Sequence, residues 1–203
     1  MPPSSPPDDS SIRPPHPLAV ALIERLASLP DGAAPPVILD FATGSGRNAA
    51  GLIRAGFRVV AVGDDAAQRV ERASDVDGGP FDAVVSTHGF LHGTAEDVAR
   101  RVGTVAGMLR PRGLFYATFG STADARFGKG RRLDASTYAP LDGDERGVAH
   151  AFFTGALLHE ILSAHVLVER LEARGVDTIA GAWAHVDRPL ENAAHWFAVA
   201  RRG

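Results

Sequence analysis

The segment Val37-Ile-Leu-Asp-Phe-Ala-Thr-Gly-Ser-Gly-Arg-Asn48 constrains this chain more than any other stretch. A short apolar run, 37–41, reads as a buried parallel strand, and 47–55 reads as a helix stopped by Gly56. The two are joined by Gly44-Ser-Gly46, where glycine lets the backbone pass close to a ligand and the helix start offers unpaired N–H groups. A strand, a glycine turn and a helix in that order begin a βαβ unit, and the rest of the chain continues the alternation. Strands are expected at 58–62, 83–86, 114–119, 166–171 and 196–200. Helices are expected at 18–29 and 66–73, after Thr94 with Val98, Val102, Val105 and Leu109 inward, and after Thr154 with Leu157, Leu158, Ile161 and Leu162 inward. Thr94 and Asp97 form a capping box, and Pro111-Arg-Gly113 is expected to end that helix.

Such alternation predicts an α/β fold, a doubly wound and mostly parallel sheet. No helical pattern separates the last two strands, so the last one is expected to run antiparallel at one edge. Residues 1–17 carry seven prolines and read as a flexible tail ahead of one domain at 18–203. Residues 120–150 are polar and glycine-rich, too long for a plain connection and therefore expected to be functional.

Composition removes several classes of function. The formal net charge of −3 leaves no basic excess to hold a nucleic-acid backbone. No apolar run is long enough to span a bilayer, and the N-terminus lacks the basic start and apolar stretch of a secretory signal. A cytoplasmic location is the expectation. The absence of cysteine excludes disulfides, thiolate nucleophiles and cysteine-based zinc sites.

The glycine turn leaves two ligands open. Gly44-x-Gly46-x-x-Ala49, with Asp64 about twenty residues on, fits a dinucleotide fingerprint. Asp40 argues against it, because a carboxylate at the strand end repels a pyrophosphate and suits a cation such as an amino group. The antiparallel end is also foreign to a dinucleotide fold, and no Tyr-x-x-x-Lys pair is present for hydride transfer.

Taken in order, Asp40-Phe-Ala-Thr-Gly-Ser-Gly46, Phe81-Asp-Ala-Val-Val85, Leu109-Arg-Pro-Arg-Gly113 and His195-Trp-Phe-Ala-Val-Ala-Arg201 resemble the motif set of the class I S-adenosylmethionine (SAM) dependent methyltransferases. Gly46-Arg-Asn48, Phe127-Gly-Lys-Gly130 and His150-Ala-Phe-Phe-Thr154 look most like the tellurite and thiopurine branch. The resemblance implies SAM as cofactor, bound by Asp40, Ala42, Thr43, Gly44, Ser45, Gly46 and Asn48, with Thr87 and His88 beside them. It also implies an acid at the end of the second strand for the ribose. Here Gly63 stands there, and Asp64 or Asp65 is the substitute. Only residues 63–80 separate the second strand from Phe81, too few for the helix, strand and adenine loop of the family. The third strand is therefore expected to be short or absent, with a homodimer or a loop covering the edge left open.

Methyl transfer from a sulfonium is an in-line displacement that needs alignment and a dry pocket more than an acid or base. The expected acceptor is a small molecule. Its pocket should be drawn from His92, Arg126, Lys129, Tyr138, His150 and Phe153. His88 and His92 are the candidate bases, and four residues apart they also suit a metal pair lacking an evident third ligand. The competing readings are a SAM-fold module without turnover and a nicotinamide oxidoreductase.

Overall fold

A computed structural model describes residues 13–28, 34–183 and 190–203. Its elements are α1 (Pro17–Ala27), β1 (Val37–Phe41), α2 (Arg47–Arg54), β2 (Arg58–Val62), α3 (Asp64–Gln68), β3 (Phe81–Ser86), α4 (Ala95–Gly107), β4 (Leu109–Ser121), β5 (Arg131–Arg132), β6 (Thr137–Ala139), β7 (His150–Phe153), α5 (Gly155–Ser163), β8 (Leu167–Gly175) and β9 (Ala194–Arg201). The main sheet runs β2-β1-β3-β4-β9-β8, parallel from β2 to β4, with β9 antiparallel to both its neighbours. This is the mostly parallel α/β architecture expected from the sequence.

Both faces of the sheet are covered, so the central strands are mostly apolar, and their side chains alternate between two cores. Leu39, Phe41, Val84 and Phe115 face a core closed by Val98, Val102 and Val105 of α4 and by Leu158 and Leu162 of α5. Ile38, Ala83, Val85 and Tyr116 face a second core closed by Leu18 and Leu22 of α1 and by Leu52 of α2. Thr94 and Asp97 form the expected capping box on α4.

The third strand is absent among the described residues. Between β2 and β3 the chain makes only the five-residue α3 and one 3-10 turn at Ala73–Asp75, which leaves β2 at the sheet edge. That helix is displaced from the expected 66–73, because Asp64 and Asp65 sit in its first turn, where carboxylates favour a helix start.

Three further boundaries differ from expectation. The α4 helix stops at Gly107 and Leu109 already opens β4, so Pro111-Arg-Gly113 does not end the helix but lies within a strand. Pairing with β3 jumps from Phe81↔Leu109 to Ala83↔Leu114, and Arg112 has φ 65, so the proline occupies a bulge where no ladder N–H is required. Phe152 and Phe153 belong to β7 rather than opening a helix, and Leu157 on α5 is exposed. The polar stretch after β4 is not a plain loop: β5, β6 and β7 form a small antiparallel ribbon, and β7 joins the end of β4 in parallel. Gly120 pairs with both His195 of β9 and Phe152 of β7, so β7 takes the edge of β4 that β3 leaves after Ala117.

The lead-in expected to be a flexible tail at 1–17 packs against the domain over its described part. His16 is 1% exposed and caps α1 by accepting from the Leu18 N–H. Pro15 lies on α2 so closely that a Cβ on Gly51 would fall 2.2 Å from its ring, which accounts for a glycine inside that helix. No described helix is long and apolar enough to cross a membrane.

Candidate active site

The β1–α2 turn is held from beneath. Ala42, Gly44 and Gly46 all take positive φ, at 58, 54 and 79, and Gly46 is the N-cap of α2, which it caps with no side chain of its own. Asp40 is fully buried, and its Oδ2 accepts from the Thr43 hydroxyl at 2.6 Å and the Ala49 N–H at 3.0 Å. Burial pushes its carboxyl up to about 6 in spite of those two hydrogen bonds. Its Oδ1 has no hydrogen-bond partner among the described residues, and neither has Nη2 of the buried Arg47. Asp40 thus builds the turn through Oδ2 and keeps Oδ1 unpartnered among the described residues. Asn48 is likewise a tie: its Oδ1 accepts from the His16 N–H at 2.9 Å and its Nδ2 donates to Thr87 Oγ1 at 3.0 Å. Asp64 is exposed and accepts the Gly44 N–H at 3.0 Å, which puts the first acid after β2 against the glycine turn. Ser45 and Asp65 are exposed beside it.

A second group of residues meets beyond the ends of β3 and β4. A cavity of about 540 Å³ is walled by Arg126, Lys129, Tyr138, His150 and Phe152. An adjoining recess, lined by Thr87, His88, His92 and His195, shares Arg126 and His150 with it. Five of the six residues expected in the acceptor pocket therefore lie together. Phe153 does not: it is fully buried in the core against Phe119. Side chains alternate along β7, so His150 and Phe152 face the cavity while Ala151 and Phe153 face the core. Phe153→Ala is expected to cost about 3–5 kcal/mol of stability, read by denaturant unfolding, whereas Phe152→Ala should act on the cavity instead. Phe127 stacks edge-on against Tyr138 and Phe152, at 5.4 and 5.8 Å between ring centroids, so the glycine-flanked loop braces this wall. Arg131 and Arg132, close in sequence to Arg126 and Lys129, are exposed in β5 and are not part of the cavity lining.

Charge at the cavity is fixed by pairs. Arg126 makes a forked contact with Asp124, through Nε at 2.8 Å and Nη2 at 3.0 Å, and the Asp124 side chain is closed to solvent. The same Nη2 lies 3.2 Å from His195 Nε2. A guanidinium only donates, so His195 accepts there and is neutral. Burial, reinforced by Arg126, lowers the His195 pKa to about 3. His16 is lowered to about 3 as well, by burial and then by Arg47. His88 places Nδ1 3.0 Å from the Thr87 carbonyl oxygen, which puts its hydrogen on Nδ1 and leaves the lone pair on Nε2. Glu145 reaches both His150 Nε2, at 3.0 Å, and His92 Nε2, at 3.4 Å, and the two imidazoles hold its carboxyl well below the usual range.

Asp124 and Glu145 were invisible to sequence reasoning. Glu145 sits in a charged loop, Asp142-Gly-Asp-Glu145-Arg, where nothing separates it from its neighbours. Asp124 is a buried acid two residues before an arginine, a pattern shared with many surface pairs. His185 lies outside the described residues.

The arrangement of sheet and site invites comparison with known structures. No protein-family model and no curated protein matches the sequence significantly. Solved structures do match. The 1,6-didemethyltoxoflavin-N1-methyltransferase of Burkholderia thailandensis, with bound S-adenosylhomocysteine, has a TM-score of 0.61 at 24% identity, over 92% of this chain and 76% of that one. The fold is that of the SAM-dependent methyltransferases. A SAM-dependent methyltransferase from Methanosarcina mazei matches with a TM-score of 0.58 at 16% identity, over 89% of this chain and 96% of that one. TehB from Haemophilus influenzae matches at 0.54 and 13% identity, over 91% of this chain and 61% of that one. In this methyltransferase fold the β1–α2 turn, the acid after β2 and the residues after β3 converge at the carboxyl ends of the strands, where ligands of open α/β sheets bind.

Proposed function

We propose that the protein transfers a methyl group from SAM to a small-molecule acceptor held in the cavity beside the histidines. The observation that carries this reading is the meeting of the glycine turn with Asp64 at one side of the strand ends and a 540 Å³ cavity at the other. The residues present suit SAM. A Cβ on Gly46 would meet nothing within 4 Å, so the helix start is open to a close-packed ligand. The unpartnered Asp40 Oδ1 and Arg47 Nη2 match in sign the ammonium and carboxylate of an amino-acid group. The turn at 43–46 would hold that end and Asp64, with Asp65 beside it, the ribose.

Bound SAM supplies an electrophilic methyl group on a sulfonium. The protein's part is to align the acceptor and exclude water, which the aromatic wall of Phe127, Tyr138 and Phe152 provides. His88, in the recess beside the cavity, is the candidate base for an acceptor that must lose a proton. For a hydroxyl or amine acceptor His88→Ala should lower kcat on the order of 100-fold, and for a soft anionic nucleophile it should leave kcat unchanged. The motifs Gly46-Arg-Asn48 and Phe127-Gly-Lys-Gly130 ally the chain with the tellurite and thiopurine branch, hence with a small soft nucleophile.

The test is formation of S-adenosylhomocysteine from SAM with a panel of thiol, phenol and amine acceptors. Turnover with at least one is expected. Binding of S-adenosylhomocysteine without turnover on any would favour the second reading, a SAM-fold module without catalysis. One observation speaks for that module: the missing third strand shortens the wall on the adenine side.

A further inference from the structure

We infer that His92, Glu145 and His150 form a binding site for a divalent metal ion of the zinc class, opening onto the cavity. Their ligand atoms all lie within 4.8 Å of one another. The Glu145 carboxylate stands 3.4 Å from His92 Nε2 and 3.0 Å from His150 Nε2. Bonds of about 2.0–2.1 Å in a tetrahedron put neighbouring ligand atoms roughly 3.3 Å apart, so both separations are those of donors sharing one ion.

The imidazole orientation is set for metal binding. His150 Nδ1 lies 2.9 Å from the Val148 carbonyl oxygen, which places a hydrogen on Nδ1 and leaves Nε2, the atom facing Glu145, to carry a proton or a metal ion. A metal ion here would replace the proton that Nε2 otherwise shares with the Glu145 carboxylate at 3.0 Å. His92 presents a second imidazole to the same carboxylate. One metal ion satisfies all three donors; a proton on each imidazole is the competing arrangement.

The donors are also held in place by backbone. His92 and His150 are directly opposed in an antiparallel bridge, flanked by Gly93 N–H donating to Ala149 O at 2.8 Å and Ala151 N–H donating to Leu91 O at 3.2 Å. A bridge of this kind sets the two side chains next to each other on one face. Two imidazoles and one carboxylate are a donor set for zinc that leaves a coordination position open. His150 and Glu145 line both the cavity and the recess, so that position faces the space where small molecules enter. If the methyl-transfer reading holds, on which this clause rests, the position takes an oxygen or nitrogen of the acceptor.

The test uses the full chain without a histidine tag, stripped of metal and titrated with Co2+, then with Zn2+ in competition. The expected result is one Co2+ per chain with visible d–d absorption of low-coordinate geometry, displaced by Zn2+. Glu145→Gln and His150→Ala should each weaken Zn2+ binding by at least about 100-fold, and the exposed His159→Ala should leave it unchanged. Glu145→Gln preserves size and carries the test should His150→Ala fail to fold. Absence of stoichiometric Co2+ binding, or binding indifferent to Glu145→Gln, overturns the site and assigns the cluster to protonated ion pairs. Titration of the same preparation with S-adenosylhomocysteine separates the two claims. A protein that binds it but no metal sinks the metal site alone, and the converse sinks the SAM reading alone.

Discussion

Gly46→Val is expected to weaken S-adenosylhomocysteine binding on the order of 100-fold or more, about 2.7 kcal/mol, while leaving the protein folded. Two costs combine at this position. Gly46 has φ 79, a left-handed conformation that costs a residue bearing a Cβ roughly 1–2 kcal/mol, and a branched side chain fits it worst. Its side chain would also extend into the open space before the α2 start, where a ligand must approach the backbone N–H groups. Nothing within 4 Å of that Cβ belongs to the core, so the melting temperature should fall by only a few degrees. Gly46→Ala adds the strain with little bulk and should lie between wild type and valine. Calorimetry on the three proteins checks the order. Equal affinities would mean that the ligand does not pass this turn.

Acidification from pH 7 to pH 5 is expected to destabilise the fold by about 2–3 kcal/mol, with His16 and His195 responsible. Both imidazoles are buried, and their pKa values in the folded state are about 3, below the ordinary 6.5. A base depressed in this way contributes stability that is present above 6.5 and is lost as the pH falls toward 3. At about 1.4 kcal/mol per unit, the two together lose about 4 kcal/mol by pH 5. Asp40 works in the opposite sense. Its pKa is raised from 3.8 to about 6, so the cost of burying its charge, in full force above 6, is relieved as the pH falls. That returns about 1.4 kcal/mol by pH 5, less than the histidines lose. Urea unfolding at the two pH values measures the difference. In the His16→Asn and His195→Gln double variant the loss should vanish, and Asp40 alone should make the protein slightly more stable at pH 5. Asparagine at 16 keeps an oxygen for the Leu18 N–H. A wild type equally stable at both pH values would contradict the burial of neutral histidines.

The fold was legible because its signals are local and repeat. The run 37–41, the glycine turn and the Thr94 cap each declare an element within a dozen residues, and the short interval 63–80 announces the missing strand by length alone. What was not legible depends on tertiary contact. Pro111 looks like a helix stop, and only the register against β3 reveals a bulge that accommodates it. Phe152 and Phe153 differ in no sequence property, yet one faces a cavity and the other the core, because side chains alternate along β7.

The candidate site divides in the same way. Gly44 and Asp64 are twenty residues apart, within one βαβ unit, and the short span between β1 and β2 brings them together. Asp40 and Asn48 also act as buried ties that no local pattern announces: Asp40 Oδ2 accepts from Thr43 and Ala49, and Asn48 bonds His16 and Thr87. His150 and Glu145 meet His92 only because β7 bridges back to the loop after β3. No spacing between positions so far apart encodes that meeting.

The most direct test of the SAM reading is calorimetric titration of the purified protein with S-adenosylhomocysteine and, in parallel, with NADH. One site per chain with micromolar affinity for S-adenosylhomocysteine, weakened on the order of 100-fold in Gly46→Val, and no heat with NADH is the predicted result. No binding of S-adenosylhomocysteine at millimolar concentration, or saturable binding of NADH at the same turn, would contradict it.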